Sequence, residues 1–334
     1  MSAPRRFTSP LAPVLTRFLA LKTALGRDYA RERDILRALD TFLAADPQGP
    51  ADLTPDSFAR WGHTLQRLTP GVRREWFRIV RMLCLFRRRT EPACFVPDPT
   101  TFPVPHHPVT PYLFTAAEIA RLLEAADRLP PTPRSPLRPA VYRLAVVLLY
   151  TTGLRRRELV RLTVGDYDPH AQTLLIRASK FHKSRCLPLA PDGVQEIERY
   201  LMARRARHRP VAPDLPLVWG GAGRGRPYAG AGFAQGFRAL CRLAGIHTPG
   251  GQAPRVHDVR HAFAVGALVR WYQAGADVQA KLPLLATYLG HVSISSTAYY
   301  LSFLAPLATA ASDRFAQCCG TLVTPPPGGA GGGA

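Results

Sequence analysis

The sequence predicts a mainly α-helical protein of two domains, with one small β hairpin or sheet in the second. Three observations lead there. Apolar residues recur at helical spacing along most of the chain, a proline-rich stretch near residue 100 divides it, and only one pair of short strand-like runs interrupts the helices. At 334 residues the chain is too long for one ordinary core and ample for two.

Residues 1 to about 90 read as a helical domain. Leu11 to Leu25 carries helical apolar spacing and stops at Gly26. Tyr29 to Ala45 repeats the pattern with Ile35, Leu36, Leu39, Phe42 and Leu43. A third segment, Thr54 to Leu68, has Thr54 or Asp56 as its N-cap. The fourth runs from Val72 to about Arg88, with Trp76, Phe77, Val80, Leu83 and Cys84 on one side. Arg74, Arg78, Arg81 and Arg88 share the opposite face, with Glu75 as the one interleaved acid. A stripe of cations so little neutralised is expected to contact phosphates at Arg74, Arg78 and Arg81. From 91 to 111 proline recurs, which predicts an extended linker because proline lacks an amide donor and resists helix.

The second domain is expected over 112–305. It opens with Thr115-Ala-Ala-Glu118, a capping box ahead of Ile119, Leu122 and Leu123. Val141 to Tyr150 is an almost continuous apolar helix, hence buried. Thr173 to Ala178 and Arg185 to Leu189 read as two strands of a hairpin around residues 179–184. Helices follow near 192–206, 231–243, 257–274 and 277–289. A last helix is expected over 306–320 and a disordered Pro/Gly/Ala tail over 321–334.

Charge narrows the function. Lysine and arginine total 44 against 23 acidic residues, a formal charge of +21. A protein that basic is expected to bind a polyanion, with a phosphate backbone favoured and an anionic membrane surface the rival. No apolar run is long enough for a transmembrane helix. The N-terminus lacks a signal-peptide core, and none of the six cysteines forms a CxxC pair, so the cytoplasm is expected, with no structural zinc or disulfide framework. Only Lys22, Lys180, Lys183 and Lys281 are lysine among the 44 basic residues, which singles each of them out.

Four separated pieces of the second domain carry chemistry. They are Thr152-Gly-Leu-Arg155-Arg-Arg-Glu158, Lys180 in the hairpin, His257-Asp-Val-Arg260-His261, and Leu289-Gly-His291 followed nine residues later by Tyr300. In this order they resemble the tyrosine recombinase (phage integrase) family, which shares its catalytic fold with type IB topoisomerases. The resemblance covers roughly residues 110 to 305; the first domain is similar to the family's core-binding domain only in size, helicity and charge. It implies a helical core-binding domain joined to an α/β catalytic domain, and a DNA-breaking and rejoining enzyme that works through a 3′-phosphotyrosine. It also implies four protomers on double-stranded recombination sites, alone or with related recombinases.

The roles follow from the resemblance and from what a phosphodiester requires. Charge gathers on the non-bridging oxygens in the transition state, and forked cation donors stabilise it. The family pattern gives this role to Arg155 and Arg260, with Gly153 making the turn that presents Arg155. His257, three residues before Arg260, bonds a phosphate oxygen or takes the nucleophile's proton; His291 is a second phosphate donor, and Gly290 marks a helix end. His261 is read as structural. The leaving 5′ oxygen needs a proton, which lysine can give and arginine cannot readily give. Lys180 stands eight residues before Pro188, as the family pattern requires; Lys183 is then a DNA-backbone contact. Tyr300 is the nucleophile and Tyr299 packing. Glu158 and Asp166 are read as structural acids pairing with arginine, and Asp258 stands at a position often apolar in the family. No cofactor and no metal are expected. Two other functions use parts of the same pattern: a topoisomerase-like nicking and resealing enzyme, and a DNA-binding regulator.

Overall fold

The computed structural model describes residues 6–27, 29–45, 52–104, 110–133, 135–177, 184–220, 226–291 and 293–302, and the chain divides after Thr110 into two units. The expected C-terminal helix over 306–320, the tail over 321–334, and both hairpin lysines, Lys180 and Lys183, lie outside the described residues.

The first unit holds α1 (Ala12–Ala24), α2 (Ala30–Ala44), α3 (Pro55–Thr64) and α4 (Pro70–Arg87). Thr54 caps α3: its side chain accepts from the Ser57 amide at 3.1 Å, and Ser57 answers from inside the first turn. The apolar faces of the helices meet around Leu15, Phe18, Leu36, Leu39, Trp61 and Val80. Asp40, buried on α2, accepts from the amides of Thr8 and Ser9, both at 2.9 Å, and so ties the entry of the chain to the core.

The proline segment is divided in character. Phe102 is buried, Phe95 and Val96 pack beside it, and Pro99–Thr101 forms a 3-10 turn. Rings at these positions have enough apolar area to join the core despite the missing proline amides, so free chain does not begin at residue 91. Arg74 donates to the Pro103 carbonyl at 3.2 Å and Arg81 to that of Pro97, so two members of the α4 stripe hold this segment in place. Arg78, between them, pairs with Glu75 at 2.7 Å.

The second unit begins with α5 (Ala116–Asp127), α6 (Arg138–Thr152) and the short α7 (Arg156–Arg161). The Thr115–Glu118 capping box forms as expected. Next come β1 (Tyr167–Asp168), β2 (Thr173–Ile176) and β3 (Arg185–Pro188), an antiparallel sheet in that order. The hairpin of the sequence reading is β2–β3, with Thr173 opposite Pro188 and Ile176 opposite Arg185; β1 is an addition too short to show a pattern. Then follow α8 (Pro191–Ala206), α9 (Gly230–Leu243), α10 (Val256–Gln273), α11 (Val278–Leu289) and α12 (Ser295–Ala298), which runs into a 3-10 turn over Tyr299–Ser302. Helix α6 is buried along most of its length and packs against α5, α8 and α10. The far half of α10, α11 and Tyr300 share a smaller cluster with Leu268, Leu282, Leu285 and Leu289. Among the described residues no helix is long and apolar enough to cross a membrane.

If residues 95–102 are core, Phe102→Ala should cost about 3 kcal/mol in urea unfolding of the full chain. Val104→Ala, at a position 81% exposed, should stay within about 0.5 kcal/mol. Equal, small effects at both positions would return the segment to a linker.

Candidate active site

The site is assembled at the C-terminal end of α11. A helix leaves its last four carbonyls without intrahelical partners and carries partial negative charge there. Gly290 ends α11 with φ +65, a left-handed conformation in which glycine is unstrained. Three successive carbonyls at this end then receive three guanidinium groups. Arg185 Nε donates to Tyr288 O at 2.8 Å, Arg260 Nη2 to Leu289 O at 2.7 Å, and Arg155 Nη2 to Gly290 O at 2.8 Å. The arginines come from the start of β3, the second turn of α10 and the residue before α7, so the socket gathers most of the second unit.

Each guanidinium has a further hold. Gly153, at φ +61, closes α6, and its carbonyl accepts from Arg260 Nη1 at 2.6 Å. A β-carbon at Gly153 would stand 2.5 Å from the Phe263 ring, so the expected turn is also a point of close packing. Arg155 caps α7 jointly with Glu158: its amide donates to Glu158 Oε2 at 2.9 Å and its Nη1 to Oε1 at 2.8 Å. Arg185 adds a fork onto the same carboxylate, at 3.1 Å to Oε1 and 2.9 Å to Oε2. Burial alone would raise the Glu158 pKa; the hydrogen bonds from Arg185 and from the Arg155 amide, the Arg185 charge and the Arg155 side-chain bond overcome it and hold the group at about 2. Glu158 is thus a structural acid paired with arginine, as the sequence suggested. The partner Arg185 was not foreseen.

Arg260 is fully buried. Burial and the nearby Arg155 charge lower its pKa to about 10, with Tyr300 and Glu158 acting in the opposite direction. It remains a cation at neutral pH. Arg260 Nη2 also donates to His291 Nε2 at 2.9 Å, since a guanidinium has no acceptor. That fixes the neutral imidazole with its proton on Nδ1, which donates to Thr297 Oγ1 at 2.7 Å. Burial, then Arg260 and Arg155, lower the His291 pKa to about 4.

Tyr300 is 2% exposed, its neighbour Tyr299 40%. The Tyr300 ring stacks on His291 at 6.0 Å between centroids and meets His261 edge-on at 5.4 Å. The expected partners Arg155, Arg260, His291 and Tyr300 therefore converge. His257 stands one turn before His261 with ring centroids 4.8 Å apart and opens onto a cleft. The surrounding protein, then His261 and Arg260, lower its pKa as well. Asp258 is explained by helix capping: as the third residue of α10 it accepts the Arg255 amide at 2.7 Å and pairs with the Arg255 side chain. Asp166 accepts the Thr163 amide at 2.8 Å and pairs with Arg177. Among the described residues no three His, Cys, Asp or Glu side chains are grouped as metal ligands.

The cleft, about 930 Å³, runs from Arg155 and His257 past Arg156, Arg157, Arg238, Arg242 and His247. None of its described lining residues is acidic. Arg238 and Arg242 lie four apart on α9, hence on one face, and both are exposed.

His261 and His291 give a pH dependence with a defined sign. Burial comes first for both, and each is held at about 4, below the ordinary 6.5. The unfolded chain binds more protons between these values, so stability is complete above about pH 6.5 and falls as pH drops toward 4. The expected loss by pH 4.5 is on the order of 5 kcal/mol, or roughly 15 °C in Tm for the second unit. Scanning calorimetry from pH 7 to 4.5 checks it: the slope should flatten in His261→Asn and His291→Asn, and an unchanged slope in both would place the effect elsewhere.

A model of the phage integrase family matches residues 113–304. Two putative integrase/recombinases of Sinorhizobium fredii are similar along most of their length. One is 32% identical over 288 residues, covering 85% of this chain and 90% of the relative; the other is 33% identical over 319 residues, covering 94% and 97%. The fold is similar to that of the Tn1549 transposon integrase, solved with transposon right end DNA, with a TM-score of 0.60 over 92% of this chain and 99% of that one at 16% identity. The family match contains every residue of the arginine socket together with His291 and Tyr300, and the chain belongs to the phage integrase family, the tyrosine recombinases.

Proposed function

We propose that the protein is a site-specific DNA recombinase that breaks and rejoins strands through a covalent bond between Tyr300 and a 3′ phosphate. The observation that carries this reading is the convergence of Arg155, Arg260 and His291 on one helix end, with the Tyr300 ring stacked against His291. A scissile phosphate held by the two guanidiniums would replace some of the contacts they now make with protein. The Tyr300 oxygen attacks phosphorus, the bond to the 5′ oxygen breaks, and Lys180 protonates that oxygen. His257 bonds a phosphate oxygen or takes the phenol's proton. A 5′ hydroxyl of the partner duplex then displaces the tyrosine. The ester keeps the energy of the broken bond, so ATP is not needed, and fixed cations supply the charge that a metal would otherwise supply.

The partner is double-stranded DNA carrying recombination sites, with four protomers acting pairwise, in the cytoplasm and on the nucleoid. In the second unit the acid-free cleft would follow the backbone through Arg238 and Arg242. In the first, Arg74, Arg78 and Arg81 would contact phosphates, and Lys183 would do so from the hairpin. Arg74 and Arg81 also staple the proline segment and Arg78 pairs with Glu75, so each of the three would exchange a protein partner for a phosphate.

Suicide substrates resolved on a denaturing gel test the nucleophile. Tyr300→Phe should leave no adduct while DNA affinity stays within about twofold. Tyr299→Phe should retain the adduct, and a chelator should not prevent it. An adduct in Tyr300→Phe, or its loss in Tyr299→Phe, moves the nucleophile. Relaxation of supercoils without exchange between two sites would favour a topoisomerase-like enzyme. For the proton donor, Lys180→Ala should cleave ordinary DNA slowly and a bridging 5′-phosphorothiolate at close to the wild-type rate, because a thiolate leaves without a proton. Arg155→Ala should stay slow on both. Rescue of Lys183→Ala instead would assign the proton to Lys183.

Salt titration of binding separates positioning contacts from reading contacts. Arg78→Ala, Arg238→Ala and Arg242→Ala should each lower the slope of log affinity against log salt by about one and weaken all sequences alike. A change in preferred bases would make the residue concerned a reader of base edges.

A further inference from the structure

We infer that Arg185 is a positioning residue for strand cleavage: from the first residue of β3 it holds Glu158, and through Glu158 the Arg155 guanidinium, against the end of α11. The inference rests on the cleavage reading above.

All three Arg185 nitrogens are committed to protein acceptors. Nε bonds the Tyr288 carbonyl, and the two Nη atoms take one Glu158 oxygen each. The side chain is 11% exposed, so solvent competes little for these bonds. Glu158 is equally closed. Its Oε1 accepts from Arg155 Nη1 and Arg185 Nη1, and its Oε2 from the Arg155 amide and Arg185 Nη2. Four donors thus fill the four lone-pair directions of one carboxylate. Gly290 completes the fit, because a β-carbon there would stand 2.8 Å from Arg185 Nη1 and 3.4 Å from Arg155 Nη1.

This closure decides how much of Arg155 is free for a phosphate. With Arg185 in place, Glu158 divides its charge between two guanidiniums and takes one Nη of Arg155, whose other Nη is on Gly290. Without Arg185 a buried carboxylate keeps two empty acceptor positions, and the cation able to fill them is Arg155. Arg155 would then turn onto Glu158 as a bidentate pair, and its charge would be spent inside the protein. The local sum of Arg155, Arg185 and Glu158 also falls from one positive charge to none. The depressed pKa of Glu158, for which Arg185 supplies the leading downward cause, agrees with this division. Arg185 further joins the sheet to α11, and the connection between β2 and β3 carries Lys180 and Lys183 in the sequence.

Arg185→Gln, Arg185→Lys and Glu158→Gln, made in the full chain, are assayed by single-turnover attachment to a suicide substrate and by DNA binding. Arg185→Gln should slow attachment at least tenfold with Kd unchanged within about twofold. Lysine keeps the charge but not the fork, so Arg185→Lys should also slow attachment while keeping the thermal midpoint near wild type. The double variant Arg185→Gln/Glu158→Gln should lose no more than the worse single variant, because one residue acts through the other. Wild-type rates in Arg185→Lys, additive losses in the double variant, or a loss confined to Kd would each overturn the inference. Tyr300→Phe runs alongside: an adduct absent from wild type or present in Tyr300→Phe overturns the cleavage reading and this inference together. A normal adduct pattern with wild-type rates in the Arg185 variants overturns the inference alone.

Discussion

Three guanidinium groups on three consecutive carbonyls at the end of one helix form the contact on which the second unit depends. The residues that meet there are far apart in sequence: Arg155 and Gly290 are separated by 135 positions, Arg185 and Tyr288 by 103. Each bond joins a full charge to a carbonyl that its helix leaves unsatisfied, so it is stronger than a neutral hydrogen bond and falls where the helix dipole is negative. Because α6, α7, β3 and α10 each deliver a group to this point, the position of the site and the packing of the unit are one geometric problem.

Concentrating cations has a cost, and the structure shows how it is contained. Arg260 is wholly buried, and the neighbouring Arg155 charge disfavours its ionised form, yet it keeps two carbonyls and an imidazole as acceptors. Lysine would not serve in that place, since a desolvated amine surrenders its proton far more readily than a guanidinium. One carboxylate, Glu158, pairs with two of the three arginines and cancels one charge, so a net positive charge remains where Arg155 meets the cleft. An anion held by Arg155 and Arg260 would have to take over some of the contacts these guanidiniums now make with carbonyls and with His291.

Helix positions were legible in the sequence because apolar periodicity and capping residues are local. Thr115–Glu118 and Thr54 start their helices as expected, and Gly153 and Gly290 end theirs in the left-handed conformation. Arg155, Arg260, His291 and Tyr300 were legible for a different reason, since each sits in a short pattern of fixed spacing. Arg185 has no such pattern: in a chain with 40 arginines, one more at a strand start carries no signal until the fold brings Tyr288 and Glu158 to it. The roles of Arg74 and Arg81 were obscured in the same way. A cationic stripe looks alike whether its donors face solvent or the carbonyls of a returning segment. Phe102 was hidden by its prolines, because composition reports missing amides and says nothing of where a ring can be buried.

The tyrosine is held by packing against α10 and α11 and by the groups around His291. Thr297 is buried, accepts the proton of His291 Nδ1, and lies three residues before Tyr300 in the same short helical segment. Residues three apart in a helical turn share a face, so the bond that orients the imidazole also sets the register of the tyrosine ring stacked on it. His291 Nε2, in turn, is held by Arg260, which is held by Gly153 and Leu289. Position therefore passes from the helix ends, through guanidinium and imidazole, to the phenol. Tyr299, one step along the backbone, is 40% exposed and meets the His261 and Tyr300 rings at 6.3 and 6.1 Å without stacking on His291. Identity of side chain does not separate the two tyrosines; burial against α10 and α11 and stacking on His291 do.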